Sequence, residues 1–181
     1  MFYKLKILWQ GMRMYSKIKS NERRYTMMSY LELDSLTDSE LYEAVFARTG
    51  DKVSKFETIT DGIGSLSQPE QDFYIVSYYE FEVNNGGLCQ FFVNSSREVA
   101  PFLTDCLNRI SAIEHKNLFE AFIRDNGIDV NDLSSFMIQD VNDFKAQMER
   151  YPFDDFDKAF CELEPVQNLL IPYVRSHLSA F

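Results

Sequence analysis

Apolar residues recur at helical spacing along most of the chain. Over residues 38–49, Leu41 and Val45, and likewise Tyr42 and Phe46, lie four apart, so they share one face of a helix that Gly50 should close with a left-handed cap. Residues 50–66, with Gly62 and Gly64, read as a connector. A second helix opens at Gln68 with Pro69 in its first turn, where the missing N–H costs nothing, and carries Phe73, Val76 and Tyr79 toward Asn84. Gly86 and Gly87 end it or kink it, and a shorter helix follows over residues 89–94. Another begins near Pro101 and should bury Phe102, Cys106, Leu107 and Ile110. The next covers residues 112–126 and closes on Gly127. Met137, Val141, Phe144, Met148 and Tyr151 recur at steps of four, three, four and three, which predicts one buried stripe of a long helix.

Helix starts punctuate this pattern. Thr37 with Glu40, Ser67 with Glu70, and Ser111 with Glu114 each place a hydroxyl three residues before a glutamate that can reach back to the cap's own N–H. Residues 73–83 crowd β-branched and aromatic side chains, yet the cap before them favours helix. Pro172 either starts a final short helix or kinks a longer one, since an interior proline costs roughly 3 kcal/mol. The fold class expected is all-α, a compact multi-helix single domain.

Composition agrees with one folded domain: 181 residues, 45% hydrophobic and 15% aromatic, are enough to build a core without metals or disulfides. Cys89, Cys106 and Cys161 are odd in number and widely spaced, with no C-x-x-C pair, and read as reduced core residues. The first nine residues lack the apolar run and cleavage site of a secretory signal, and no stretch reaches the roughly 18 apolar residues of a spanning helix. A cytoplasmic location is the expectation.

Charge divides the chain in two. Residues 1–30 carry seven lysines and arginines against Glu22 alone, a net of +6, and form a basic N-terminal extension. Residues 31–181, the helical domain, carry 11 basic and 27 acidic groups, a net of −16. A field of that sign repels phosphate backbones and attracts basic surfaces, so no direct nucleic-acid contact is expected of it. In the extension, Leu5, Leu8, Trp9, Met12 and Tyr15 could share a face above Lys4, Lys6, Arg13 and Lys17. That pattern permits weak contact with an anionic membrane or an acidic partner; the plainer alternative is an arm folded back on its own acidic body.

The densest uncharged polar cluster holds Glu82, Asn84, Asn85, Gly86, Gly87, Gln90, Phe91, Phe92 and Asn94. Asn and Gly tolerate positive φ, so the chain can turn there with little strain, and Gln90 and Asn94 fall on one helix face. As a functional site it would be a polar pocket for a small ligand or a catalytic centre. As a structural one it would be a hydrogen-bonded helix junction, which is favoured because nothing in it is nucleophilic or distinctly basic.

Residues 79–96 have the form Y-x-F-x-V-N-N-G-G-x-x-Q-F-F-x-N-S-S and are followed by Glu98, Ala100 and Pro101. This stretch resembles a signature of the bacterial DNA-mimic protein family, with Tyr151, Pro152, Phe153, Asp154 and Phe156 as a second, weaker landmark. The resemblance runs from about Leu31 to the C-terminus. It implies an all-helical domain, often a homodimer, whose best-studied type displays carboxylates in place of DNA phosphates and occupies the DNA-binding surface of a transcription factor.

The charge pattern can be weighed apart from the resemblance. Asp125, Asp129, Asp132, Asp140, Asp143, Glu149, Asp154, Asp155, Asp157, Glu162 and Glu164 stand against Lys145, Arg150 and Lys158 in residues 125–164, a net of −8. DNA presents one charge per about 1.7 Å of axis, whereas carboxylates on adjacent helical turns lie about 6 Å apart, so an acidic helix face reproduces that density only roughly. A basic DNA-binding protein is the partner this pattern suits. Catalytic motifs are missing from the sequence. His115 and His177 belong to no metal-ligand spacing and read as surface or helix-end residues, and there is no Walker loop, nucleophile elbow or dinucleotide fingerprint. Neither a cofactor nor a metal is expected, and Asp154 with Asp155 is one acid pair among many.

Overall fold

The computed structural model describes residue 21 and residues 23–181. Every regular element among them is helical: residues 23–27, then α1 (Tyr30–Asp34), α2 (Asp38–Val53), α3 (Ile59–Gly64), α4 (Gln68–Val93), α5 (Ala100–Arg109), α6 (Ile113–Asp125), α7 (Val141–Arg150), α8 (Phe153–Glu162) and α9 (Val166–Ser176). Short 3₁₀ turns lie at Ser95–Val99, Ser134–Phe136 and Leu178–Ala180.

The axis of the molecule is α4, which packs against α2, α5, α8 and α9. A helix with neighbours on several sides must be apolar on several sides, and Phe73, Ile75, Val76, Tyr79, Leu88, Cys89, Phe91 and Phe92 are all buried. Around Tyr79 the rings of Phe91, Phe119 and Phe160 sit edge-on at 5.3, 5.9 and 5.7 Å between centroids. A second aromatic group joins Phe92 to Phe136 at 4.9 Å and Phe122 to Phe153 at 5.2 Å. Offset and edge-on pairs of this kind add to what burial alone contributes.

The capping boxes at Thr37 and Ser67 form as expected, Glu40 and Glu70 each accepting from the backbone N–H and hydroxyl of the cap. A further box at Ser29 and Glu32 opens α1. The expected box at Ser111 does not form. Ser111 sits at φ 62°, and the N–H of Ala112 reaches the carbonyl of Leu107 at 2.8 Å, so Ser111 closes α5 and α6 starts two residues later. Gly127 ends α6 in the same way, at φ 63° with Ile128 N–H donating to Ile123 at 2.8 Å.

Several expected boundaries are corrected. Gly50 does not stop α2, because one more turn lets Val53 pack on α3, where Gly62 leaves no room for a side chain: a Cβ there would lie 2.7 Å from Val53 Cγ1. The connector over 50–66 therefore contains a helix, opened by Thr58 and Asp61. Of the two alternatives for Pro172, the structure takes the second: it lies inside α9. The long helix expected through residue 137 is only α7: Asp140 caps it by accepting from the N–H groups of Asn142 and Asp143 at 2.7 and 3.1 Å. Phe144, Met148 and Tyr151 of the expected stripe still pack against the core, but Met137 and Val141 are 66% and 72% exposed. Phe102 and Cys161 also face outward, whereas His115 is buried, its Nε2 2.8 Å from the carbonyl of Glu164 and its ring against Phe160.

The amphipathic face of residues 5–15 lies outside the described residues. Just after it, Tyr25 is buried and its hydroxyl donates to Glu43 Oε2 at 3.1 Å, while the Arg48 guanidinium holds the carbonyls of Tyr25 and Met28.

Candidate functional site: a kinked helix and the acids beside it

The polar cluster sits at a break in α4. Gly86 (φ −146°) and Gly87 (φ +84°) leave helical geometry, and the helix resumes to Val93. Glu82, buried on the first half, accepts from Gln90 Nε2 at 2.6 Å and Asn94 Nδ2 at 3.0 Å on the second half, so one carboxylate spans the kink. Glu82 is buried and so needs these donors, whereas Gln90 is half-buried and Asn94 exposed. Asn84 is half-buried and Asn85 exposed at the turn, and Phe91 and Phe92 point into the aromatic core. With both amides donating to Glu82 across the break, the cluster ties the two halves of α4 together.

The kink also grips α8. Leu88 N–H, released from the helical ladder by the break, donates to Asp157 Oδ1 at 2.9 Å, and a Cβ on Gly87 would lie 2.1 Å from Asp157 Oδ2. Asp157 is thus buried, turned inward from the acids with which the sequence grouped it. The other ten of that group, Asp125, Asp129, Asp132, Asp140, Asp143, Glu149, Asp154, Asp155, Glu162 and Glu164, are all exposed. Among the described residues, ion pairs engage two of them: Asp125 with Arg124 at 2.9 Å and Asp155 with Lys158 at 3.5 Å. Asp129, Asp132, Asp140 and Asp143 also accept from nearby backbone N–H groups, which orients them without removing their charge.

Other buried acids are committed to structure. Asp72 accepts from Arg109, from Gln68 and, at 2.6 Å, from the Tyr173 hydroxyl. Glu80 accepts from the N–H groups of Val166 and Gln167 at the start of α9, and burial pushes its carboxyl up to about 7. Burial lowers His115 below the usual imidazole value. Sequence reading missed these inward acids because nothing in their spacing separates them from surface ones. No cluster of three or more metal-ligating side chains occurs among the described residues.

A model of the family described as DMP19-like protein matches residues 64–177, more than half of the chain and the whole of the kink, its grip on α8 and the acidic segment. The chain belongs to the DMP19-like family. The match begins within α3 and ends one residue past α9, so the family domain comprises α4 to α9; α2 packs on α4 and α9 from outside the matched region, and α1 packs on α2 and on the turn at Leu178–Ala180. No curated protein and no solved structure matches the chain.

Proposed function

We propose that this DMP19-like protein is a non-enzymatic acidic interaction module that occupies the basic surface of a DNA-binding protein in the cytoplasm, in place of DNA. The observation that carries the reading is the exposure of ten acids between residues 125 and 164, with two held in ion pairs. Charges that are exposed and not locally neutralised project a field that a basic surface meets at a distance and that salt screens. Family membership supports the same reading, since the family's name refers to DNA mimicry. The alternative site at Glu82, Gln90 and Asn94 offers no ligand the same invitation, because these groups already bond to each other.

The test is capture of nucleic-acid-binding proteins on the immobilised full chain, followed by elution. Salt and excess duplex DNA should both release the captured protein. Glu149→Gln, Asp154→Asn and Glu162→Gln together remove three exposed charges that no described hydrogen bond or ion pair uses, and should weaken capture about tenfold at low salt. Capture indifferent to salt, to DNA and to these substitutions would refute the reading.

A further inference from the structure

Just before α7 and at its first residue, two large apolar side chains are exposed in an acidic stretch. Residues 126–144 contain Asp129, Asp132, Asp140 and Asp143 and no lysine or arginine. Between them stand Met137 and Val141, 66% and 72% exposed. The segment is also held in shape: Gln139 N–H donates to Asp143 Oδ2 at 2.8 Å, and Gln147 Nε2 donates to the Ser135 carbonyl at 2.6 Å. Met137, Ile138, Gln139, Asp143 and Gln147 line one shallow groove of about 430 Å³. A surface fixed in advance loses less entropy on binding than one that must order first.

Imitation of phosphates alone would need carboxylates and nothing else. Apolar side chains set among acids suit a partner whose basic and apolar residues lie on adjoining faces, as on an amphipathic helix. We propose that the start of α7 is a docking site for a basic amphipathic helix of the partner, whose lysines or arginines meet Asp140 and Asp143 while its apolar face covers Met137 and Val141. The inference rests on the acidic-module reading above and adds a contact that duplex DNA does not make. Salt weakens the charged part of such a contact and leaves the apolar part, so binding keeps a salt-resistant component.

The probe is a labelled peptide with leucine and lysine at helical spacing, compared with a scrambled peptide of the same composition that has no apolar face. Both are titrated with the full chain by fluorescence anisotropy at about 0.05 M and about 0.5 M salt. The patterned peptide should bind more tightly, and the gap should persist at high salt. Met137→Ser with Val141→Ser should close the gap by weakening the patterned peptide about tenfold, with helix content by circular dichroism unchanged. Equal binding of the two peptides, each weakened by the Glu149, Asp154 and Glu162 substitutions, would overturn this inference and leave the acidic module standing. Binding of neither would overturn both. If the double substitution changed only sedimentation of the chain, the patch would be a contact between copies and the inference would fail.

Discussion

Gly87 and Gly50 differ in what a methyl group would meet. At Gly87 a side chain would face φ +84° and the Asp157 carboxylate at 2.1 Å, in a buried site where Asp157 is also the acceptor for Leu88 N–H. Gly87→Ala should therefore destabilise the fold by about 3 kcal/mol or more, from backbone strain and from displacement of a buried carboxylate. At Gly50 the helix passes through and nothing lies within 4 Å, so Gly50→Ala should stabilise it by about 0.5–1 kcal/mol. Denaturant melts of the two variants read both signs, and destabilisation at both positions would contradict the described α2. Sequence pattern shows that Gly86 and Gly87 interrupt a helix, since two glycines inside an apolar run have few other uses. It does not show that Asp157, 69 residues after Leu88, closes the gap. In composition Asp157 is indistinguishable from Asp154 and Asp155, and only the packing of α8 on α4 turns it inward.

Helix ends divide in the same way between local and distant causes. The boxes at Thr37 and Ser67 depend on residues three apart, so the sequence displays them directly; the Ser29 box has the same spacing but is not among the expected starts. Ser111 misleads because a hydroxyl followed by a glutamate has the same spelling whether the backbone is starting a helix or leaving one through positive φ. The start of α9 has no signal of its own. Pro165 offers no side-chain cap, and Glu80 of α4 accepts from the first N–H groups instead. Burial raises Glu80 to about 7 from 4.5, so between those values the folded chain keeps a proton that the unfolded chain has released. Stability must then fall as pH rises from about 4.5 to about 7, by on the order of 3 kcal/mol from this group. His115 works in the opposite sense: its lowered value keeps it neutral in the fold, so its contribution is present above 6.5 and lost as pH falls below it. Glu80→Gln should keep the acceptor, remove the first slope and leave the second. Melting temperature against pH for both chains measures the difference, and parallel curves would exclude a titrating Glu80 at the α9 cap.

For the molecule as a whole, the acidic domain and the basic segment before it pull a charged partner in opposite directions. Residues 1–20 hold Lys4, Lys6, Arg13, Lys17 and Lys19 and no acid, so their removal takes the net charge from −10 to −15. The truncation should spare the fold, because Tyr25 keeps its bond to Glu43 and every core residue among the described ones is retained. If the acidic surface binds basic partners through its field, the shorter chain should bind a lysine-rich peptide more tightly at low salt, and the advantage should vanish once the screening length drops to about 3 Å near 1 M. If residues 1–20 instead contact anionic lipid, the same truncation should abolish cosedimentation with phosphatidylserine vesicles and leave peptide affinity almost unchanged. The two assays on one pair of chains separate these roles, because the first follows the total charge and the second follows the apolar side chains among residues 5–15. Peptide binding that weakens on truncation would show that the basic segment forms part of the binding surface, and the acidic domain would then not be the whole of the recognition site.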